Sequence, residues 1–317
     1  MEAIITIVGF LGAGKTTLLR HLMTSYINIG WNPFIVLNDY ENANLDVLQL
    51  TDKIDPKWIR ALTGNCICCS GINELRNHVN RIPERANGIT LIEANGTSDA
   101  CSLMEFLGVG LNDRFLPPIQ VSVVDIKNWQ KREEYNELES NQVQVSSLII
   151  LTHVAKMAKS RKAIVIRELR LLNPFAKILT MDEIDIKLLP ELLPSKNTAQ
   201  KLDHQKAHWS SCSTDLPRLL DLDCIYDICH ALPKKLLRVK GCTKIGDEKR
   251  YTYFERNPDG SVFVRPFNGV PITGSKLLTI GPGSEVLLLE KAIETSLIAG
   301  NSRLQLKTDD NENLSQF

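Results

Sequence analysis

The sequence predicts an α/β protein: a mostly parallel sheet covered by helices, followed by a smaller α+β domain. Three observations carry that expectation. Apolar, β-rich runs recur at 4–8, 34–37, 89–92, 121–124 and 147–151, with helical segments such as 17–26 and 163–172 between several of them. Strands that are continuously apolar rather than alternating belong to parallel sheets buried on both faces. After Pro233 the texture changes to short strands (236–239, 251–254, 262–264, 286–289) split by turns such as Asn257-Pro258-Asp259-Gly260, which reads as a small meander-like sheet. The third observation is a glycine-rich segment directly after the first strand.

That segment, Gly9-Phe10-Leu11-Gly12-Ala13-Gly14-Lys15-Thr16-Thr17, fits G-x-x-x-x-G-K-[ST], the phosphate loop of P-loop nucleotidases, between a strand and a helix as the pattern requires. Gly12 and Gly14 let the backbone curl until consecutive N–H groups form an anion nest. Lys15 adds a positive charge over the β- and γ-phosphates, and the Thr16 hydroxyl can complete the coordination of Mg²⁺. The helix that follows directs the positive end of its dipole at the same phosphates. Gly9, Gly12, Ala13, Gly14, Lys15, Thr16 and Thr17 are therefore the candidate nucleotide-binding residues. The βα loops at the carboxyl ends of the strands should hold the rest of the ligand.

The remaining composition bounds the function. At 317 residues there is room for one large and one smaller domain, and the pattern divides as 1–185 nucleotidase, 186–233 connection, 234–308 α+β domain and 309–317 disordered tail. No internal repeat is visible. Lys+Arg 37 against Asp+Glu 37 gives no global electrostatic case for nucleic acid or an anionic membrane. No apolar run approaches the ~18 residues of a membrane span, and the N-terminus enters a strand without a signal-like region. Eight cysteines, three of them crowded together, look unlike a secreted disulfide framework. The expectation is a cytoplasmic protein whose thiols are reduced.

The crowded thiols are Cys66, Cys68 and Cys69 in Gly64-Asn65-Cys66-Ile67-Cys68-Cys69. Zinc and copper(I) favour soft thiolates, and three within four positions supply most of a coordination sphere. Neighbours such as Cys68 and Cys69 point apart in an extended segment, so convergence needs a turn or a helix start. The bland alternative is that one or two are buried small hydrophobes; their place after a strand–loop region and before the helix-like 73–79 favours metal. His204 and His208 are spaced i, i+4 and read as solvated, while His78 and His230 read as structural. The basic run from Lys234 to Lys240 reads as a solvated strand face.

GFLGAGKTTLL, GNCICC, Glu93-Ala94-Asn95-Gly96 and LLRVKG occur in an order that resembles the CobW-type branch of the P-loop GTPases, the metallochaperone group related to the urease and hydrogenase nickel-insertion GTPases. The resemblance runs from Ile4 to about Ile293. It implies nucleotide-gated metal handling, with zinc the most typical cargo, Mg²⁺ with GTP or ATP as the working nucleotide, and a client metalloprotein as partner. It also implies that Glu93 and Gly96 form an E-x-x-G motif, a Walker B acid and a backbone N–H that senses the γ-phosphate; with Lys15 they are the candidate catalytic residues. The residues agree with that transfer. Glu93 ends an apolar strand, where its carboxylate can meet Mg²⁺ beside Thr16, and Gly96 permits close backbone approach. Asp125, at a comparable strand end, is assigned a supporting role, with helix capping an equal reading.

Two departures stand out. The resemblance implies N-K-x-D after the strand at 148–151, yet this chain has Thr152-His153-Val154-Ala155. Ala155 cannot accept from guanine N1 and N2, which removes a bidentate acceptor and weakens discrimination between bases. Asn38-Asp39-Tyr40-Glu41-Asn42-Ala43-Asn44-Leu45-Asp46 matches the implied N-E-F-G-E-x-G-x-D switch in part, with glycines replaced and one carboxylate lost. The expected function is a nucleoside triphosphatase, GTP first, acting as a metal chaperone or insertase. The C-terminal domain is expected to serve as its partner or oligomer surface. A hydrolytically weak nucleotide-binding adaptor and a small-molecule kinase are the alternatives.

Overall fold

The computed structural model describes residues 1–38, 50, 53–62, 72–107, 109–195, 197, 211–236, 238–257, 259–267, 270–271, 274–281 and 284–314. The chain divides into two compact units, Met1–His208 and Trp209–Phe317.

In the first unit the strands are β1 (Ala3–Val8), β2 (Asn32–Asn38), β3 (Ile59–Leu62), β4 (Gly88–Glu93), β5 (Ile119–Asp125), β6 (Leu148–Thr152) and β7 (Lys177–Thr180). They form one seven-stranded sheet in the order β3-β2-β4-β1-β5-β6-β7, with every neighbouring pair parallel. β1 is central and buried along its whole length, which is why its sequence, Ala3-Ile4-Ile5-Thr6-Ile7-Val8, shows no polar alternation. The helices are α1 (Lys15–Asn28), α2 (Ile72–Asn80), α3 (Ala100–Leu107), α4 (Asn136–Gln144) and α5 (Lys159–Leu172). α1 buries Leu18, Leu19, Leu22, Met23 and Tyr26, the i, i+3/i+4 spacing of a helix laid on a sheet. They join Ile5, Ile7, Ile35, Leu91 and Val121 in the main core.

Part of the segment expected to be a connection belongs to this core. Leu189 is buried in it, with Ile184, Ile186 and Leu192 packed alongside, and Tyr26 donates its hydroxyl to Ile186 O at 2.8 Å. The chain continues along the sheet past residue 185 because these apolar side chains cover α1 and β1.

The second unit contains β8 (Ser211–Asp215), α6 (Asp223–Ala231), β9 (Arg238–Lys244), β10 (Tyr251–Arg256), β11 (Val262–Phe267), β12 (Lys276–Ile280) and α7 (Val286–Leu314). Its antiparallel sheet has the order β11-β10-β9-β12-β8. β8 and α6 lie inside the stretch expected to be a connection. The run 286–289, expected to be a strand, is the first turn of α7. Four consecutive apolar residues suit either structure; the decision comes from Leu289, Ala292, Ile293 and Ser296, all buried at spacings of three, four and seven. Residues 309–314, expected in a disordered tail, are helical. Arg256 closes the end of α6, donating to the carbonyls of Cys229, Leu232, Pro233 and Leu236. One guanidinium thus satisfies acceptors that a helix terminus leaves open.

Candidate functional site

The loop between β1 and α1 turns on glycines with positive φ. Gly9 is at 145°, Gly12 at 76° and Gly14 at 100°. Gly14 is the residue before α1, so the helix amides open onto the curled loop. Gly9 has a second reason to be glycine, since a Cβ there would lie 2.4 Å from Val123 O on β5.

Lys15 is buried, and its ammonium donates to Gly9 O at 2.8 Å and Phe10 O at 3.2 Å. A buried ammonium needs acceptors, and here the loop's own carbonyls supply them. Thr16 Oγ1 donates to Glu93 Oε1 at 2.7 Å across 77 positions of sequence. The hydroxyl and the carboxylate, proposed separately from motif and resemblance, thus stand together where β1 and β4 lie side by side (Ile7 opposite Glu93). Thr17 is exposed on α1.

Gly96 packs onto the loop itself. A Cβ at this position would lie 2.6 Å from Leu11 Cδ2 and 2.8 Å from Leu11 N, and no side chain fits. Gln142, wholly buried on α4, donates to Gly96 O at 3.1 Å and Ser98 O at 3.3 Å, pinning the segment against Leu11. The sequence gives no sign of Gln142, a polar residue in a polar helix; its role comes only from the packing of α4 against that turn.

On the other side of β1, Thr152 Oγ1 donates to Ala13 O at 2.8 Å and lies 3.3 Å from Val124 O. His153 follows in the left-handed region at φ 56°, with Nδ1 3.0 Å from Asp125 Oδ1. Asp125 also accepts from Lys127 N at 2.9 Å and Asn128 Nδ2 at 2.7 Å, so it organises a turn rather than a helix cap. Burial pushes its carboxyl up, but donation from His153, Asn128 and Lys127 outweighs this and holds it below the ordinary carboxylate value. Beneath the loop the Arg132 guanidinium lies 4.3 Å from the Phe10 ring centroid and pairs with Glu139 at 3.3 Å. Burial raises Glu139, with Arg132 opposing.

Cys66, Cys68 and Cys69, the switch-like segment from Asp39 to Asp46, and His204 and His208 lie outside the described residues. Their anchor points do not. Asn38 ends β2 and pairs with Leu62, which ends β3, so both segments leave the carboxyl edge of the sheet that carries the phosphate loop. Among the described residues, no group of three or more His, Cys, Asp or Glu could hold a metal ion. Cys101, Cys212, Cys224, Cys229 and Cys242 form no disulfide. Burial pushes Cys229 and Cys242 up to about 12, which disfavours the thiolate that metals bind. His78 pairs with Glu74 at 3.6 Å, and His230 is exposed at the end of α6. Among the described residues, no helix is long and apolar enough to cross a membrane.

The family model described as CobW/HypB/UreG, nucleotide-binding domain, matches residues 3–180. The chain is 27% identical over 194 residues to the zinc chaperone YjiA of Escherichia coli (strain K12), covering 59% of each chain. It is 25% identical over 211 residues to the zinc-regulated GTPase metalloprotein activator 1 of Dictyostelium discoideum, covering 54% of this chain and 44% of that one. The chain thus spans 59% and 44% of the lengths of these two curated relatives. The crystal structure of Zn(II)-bound YjiA GTPase from E. coli aligns at 18% identity with a TM-score of 0.41, covering 92% of this chain and 98% of that one.

Proposed function

The chain belongs to the CobW/HypB/UreG nucleotide-binding family, and we propose that it is a nucleoside triphosphatase working as a nucleotide-gated chaperone for a transition metal, zinc first. The observation that carries the reading is the convergence of Lys15, Thr16, Glu93 and Gly96 on one loop. Thr16 and Glu93 meet at 2.7 Å and offer hard oxygens, the donor type that Mg²⁺ takes; both would hold the ion. When bound, it would neutralise charge on the β- and γ-phosphates.

The protein's own groups do the rest. The loop amides and the amino end of α1 receive the phosphates, and the Lys15 ammonium exchanges the carbonyls of Gly9 and Phe10 for phosphate oxygens. The Gly96 N–H, on the turn whose α-carbon packs against Leu11, would register the γ-phosphate. Both segments outside the description, 39–49 and 63–71, leave the same sheet edge. A shift there on loss of the γ-phosphate would reach the thiols of Cys66, Cys68 and Cys69. Three thiolates without an evident fourth protein ligand suit a cargo site better than a closed structural one.

The names of the two curated relatives, a zinc chaperone and a zinc-regulated GTPase metalloprotein activator, support zinc as the cargo and a metalloprotein as client. Reduced thiols suit the cytoplasm. The second unit is the proposed partner or self-association surface. Ala155, where the resemblance implies an aspartate, favours weak discrimination between GTP and ATP.

Phosphate release measured with GTP and with ATP, with and without Zn²⁺, tests the proposal. Turnover with either nucleotide that responds to Zn²⁺ supports it. Tight binding with no turnover would instead identify a nucleotide-binding adaptor.

A further inference from the structure

The edge of the first sheet opposite the phosphate loop holds a cavity of about 330 Å³, room enough for a small molecule. It lies where the amino ends of three strands meet: Glu2 precedes β1, Trp31 precedes β2 and Gly88 begins β4. The phosphate loop follows the other end of β1, so the two places are separate.

The polar lining is a charge cluster. Glu2 accepts from Arg85 Nη2 at 2.6 Å and from Arg114 Nη1 at 2.8 Å. The side chains of Arg85 and Glu2 are only 4% and 7% exposed. Gly88 makes room for the carboxylate, since a Cβ there would lie 2.6 Å from Glu2 Oε2. Two guanidiniums share one carboxylate, which leaves positive charge in excess beside the cavity. Burial holds the Arg85 guanidinium below its ordinary value; Glu2 opposes this and the nearby Arg114 adds to it. Glu84 also lines the cavity but is exposed, where water and salt screen its charge.

The cluster has donors to spare. Arg85 Nε is buried with no hydrogen-bond acceptor among the described residues, and a buried donor left open is destabilising. Arg114, whose side chain is 20% exposed, uses Nη1 on Glu2 and Nη2 on the carbonyl of Ile82, while a guanidinium carries five N–H groups. Trp31 and Leu116, both half-buried, add flat and apolar surface to the lining.

We infer that this cavity binds a small organic carboxylate with a flat apolar body. The headgroup takes the spare donors of the arginine pair, chiefly those of Arg114, and the body lies against Trp31 and Leu116. Guanidinium and carboxylate match in geometry and charge. A single excess charge suits a monoanion, whereas a phosphate monoester carries close to two charges at neutral pH. Nothing in this site depends on nucleotide or metal.

Isothermal titration of benzoate, of neutral benzamide and of acetate into the full chain, Arg114→Gln, Glu2→Gln and Lys15→Ala tests it. Benzoate should bind the unsubstituted chain at least about tenfold more tightly than benzamide, because only the anion makes charge-assisted contacts. It should also bind about tenfold more tightly than acetate, which lacks the apolar body. Arg114→Gln should weaken benzoate about tenfold. Glu2→Gln should tighten it about fivefold, because the carboxylate that competes for both guanidiniums is gone. Lys15→Ala should change nothing, since Lys15 stands beyond the other end of β1.

No benzoate binding by the unsubstituted chain or by Glu2→Gln would make the cluster a brace of the sheet edge and overturn the inference. Equal binding of benzamide or of acetate would do the same. A loss in Lys15→Ala that matches the loss in Arg114→Gln would place the anion on the phosphate loop instead. Should Arg114→Gln fail to fold, Glu2→Gln still decides: tighter benzoate supports the site, and weaker benzoate refutes it.

Discussion

Gly96→Ala is the sharpest test of how the γ-phosphate side is built. The added Cβ would lie 2.6 Å from Leu11 Cδ2, 2.8 Å from Leu11 Cγ and 2.8 Å from Leu11 N. Comfortable contacts between carbon atoms begin at about 3.5 Å, so the overlap approaches 1 Å. The leucine side chain can rotate away, but its backbone nitrogen is part of the phosphate loop. Retreat of residue 96 is opposed by Gln142, whose buried amide holds Gly96 O at 3.1 Å. Overpacking of this kind costs about 1–3 kcal/mol.

If the loop yields, that energy appears as lost triphosphate affinity, roughly 5- to 150-fold at 1.4 kcal/mol per decade. If it does not, it appears as stability, about 2–4 °C of Tm per kcal/mol for a domain of this size. The assay is a triphosphate titration with a thermal melt on the same samples. Gly30→Ala is the control: nothing lies within 4 Å of its Cβ and its φ is +78°, so it should lower Tm without touching affinity. A Gly96→Ala protein that melts and binds like the parent would refute the reasoning.

Three further outcomes follow from the same structure. Lys15→Ala should lower triphosphate affinity by at least about a hundredfold, since a charge-assisted contact to phosphate is lost, and isothermal titration beside circular dichroism separates this from unfolding. Replacing Cys66, Cys68 and Cys69 together with serine should abolish tight Zn²⁺ binding yet spare triphosphate binding, and in the parent Zn²⁺ affinity should fall as pH drops because protons compete for sulfur; stoichiometric zinc in the triple variant would move attention to His204 and His208. Asp125→Asn should destabilise at pH 7, because a carboxyl held below its unfolded value of about 3.9 stabilises the fold above that pH and loses the effect as pH falls through its folded value. Melting both proteins at pH 7 and pH 3 checks this: the Tm difference should shrink at pH 3, and an equal difference would contradict it.

The chain by itself determined the phosphate loop, the parallel character of the first sheet and the strand end that carries Glu93. These are local facts: an anion nest needs glycines at fixed spacing, and a strand buried on both faces must be continuously apolar. Even the two departures, Ala155 and the altered switch, were legible as residues of the wrong chemistry in a known place. Where several structures satisfy one local pattern, tertiary contacts chose. The run from Val286 to Leu289 suits a strand or a helix, and packing on α6 made it a helix; the stretch around Leu189 looks irregular, yet it completes the core over α1. The contact of Gly96 with Leu11, the brace from Gln142 and the pairing of His153 with Asp125 join residues that are 28 to 85 positions apart. No local pattern can encode such contacts, because they exist only once the strand order has brought the ends of β4, β5 and β6 to the same edge as the loop after β1.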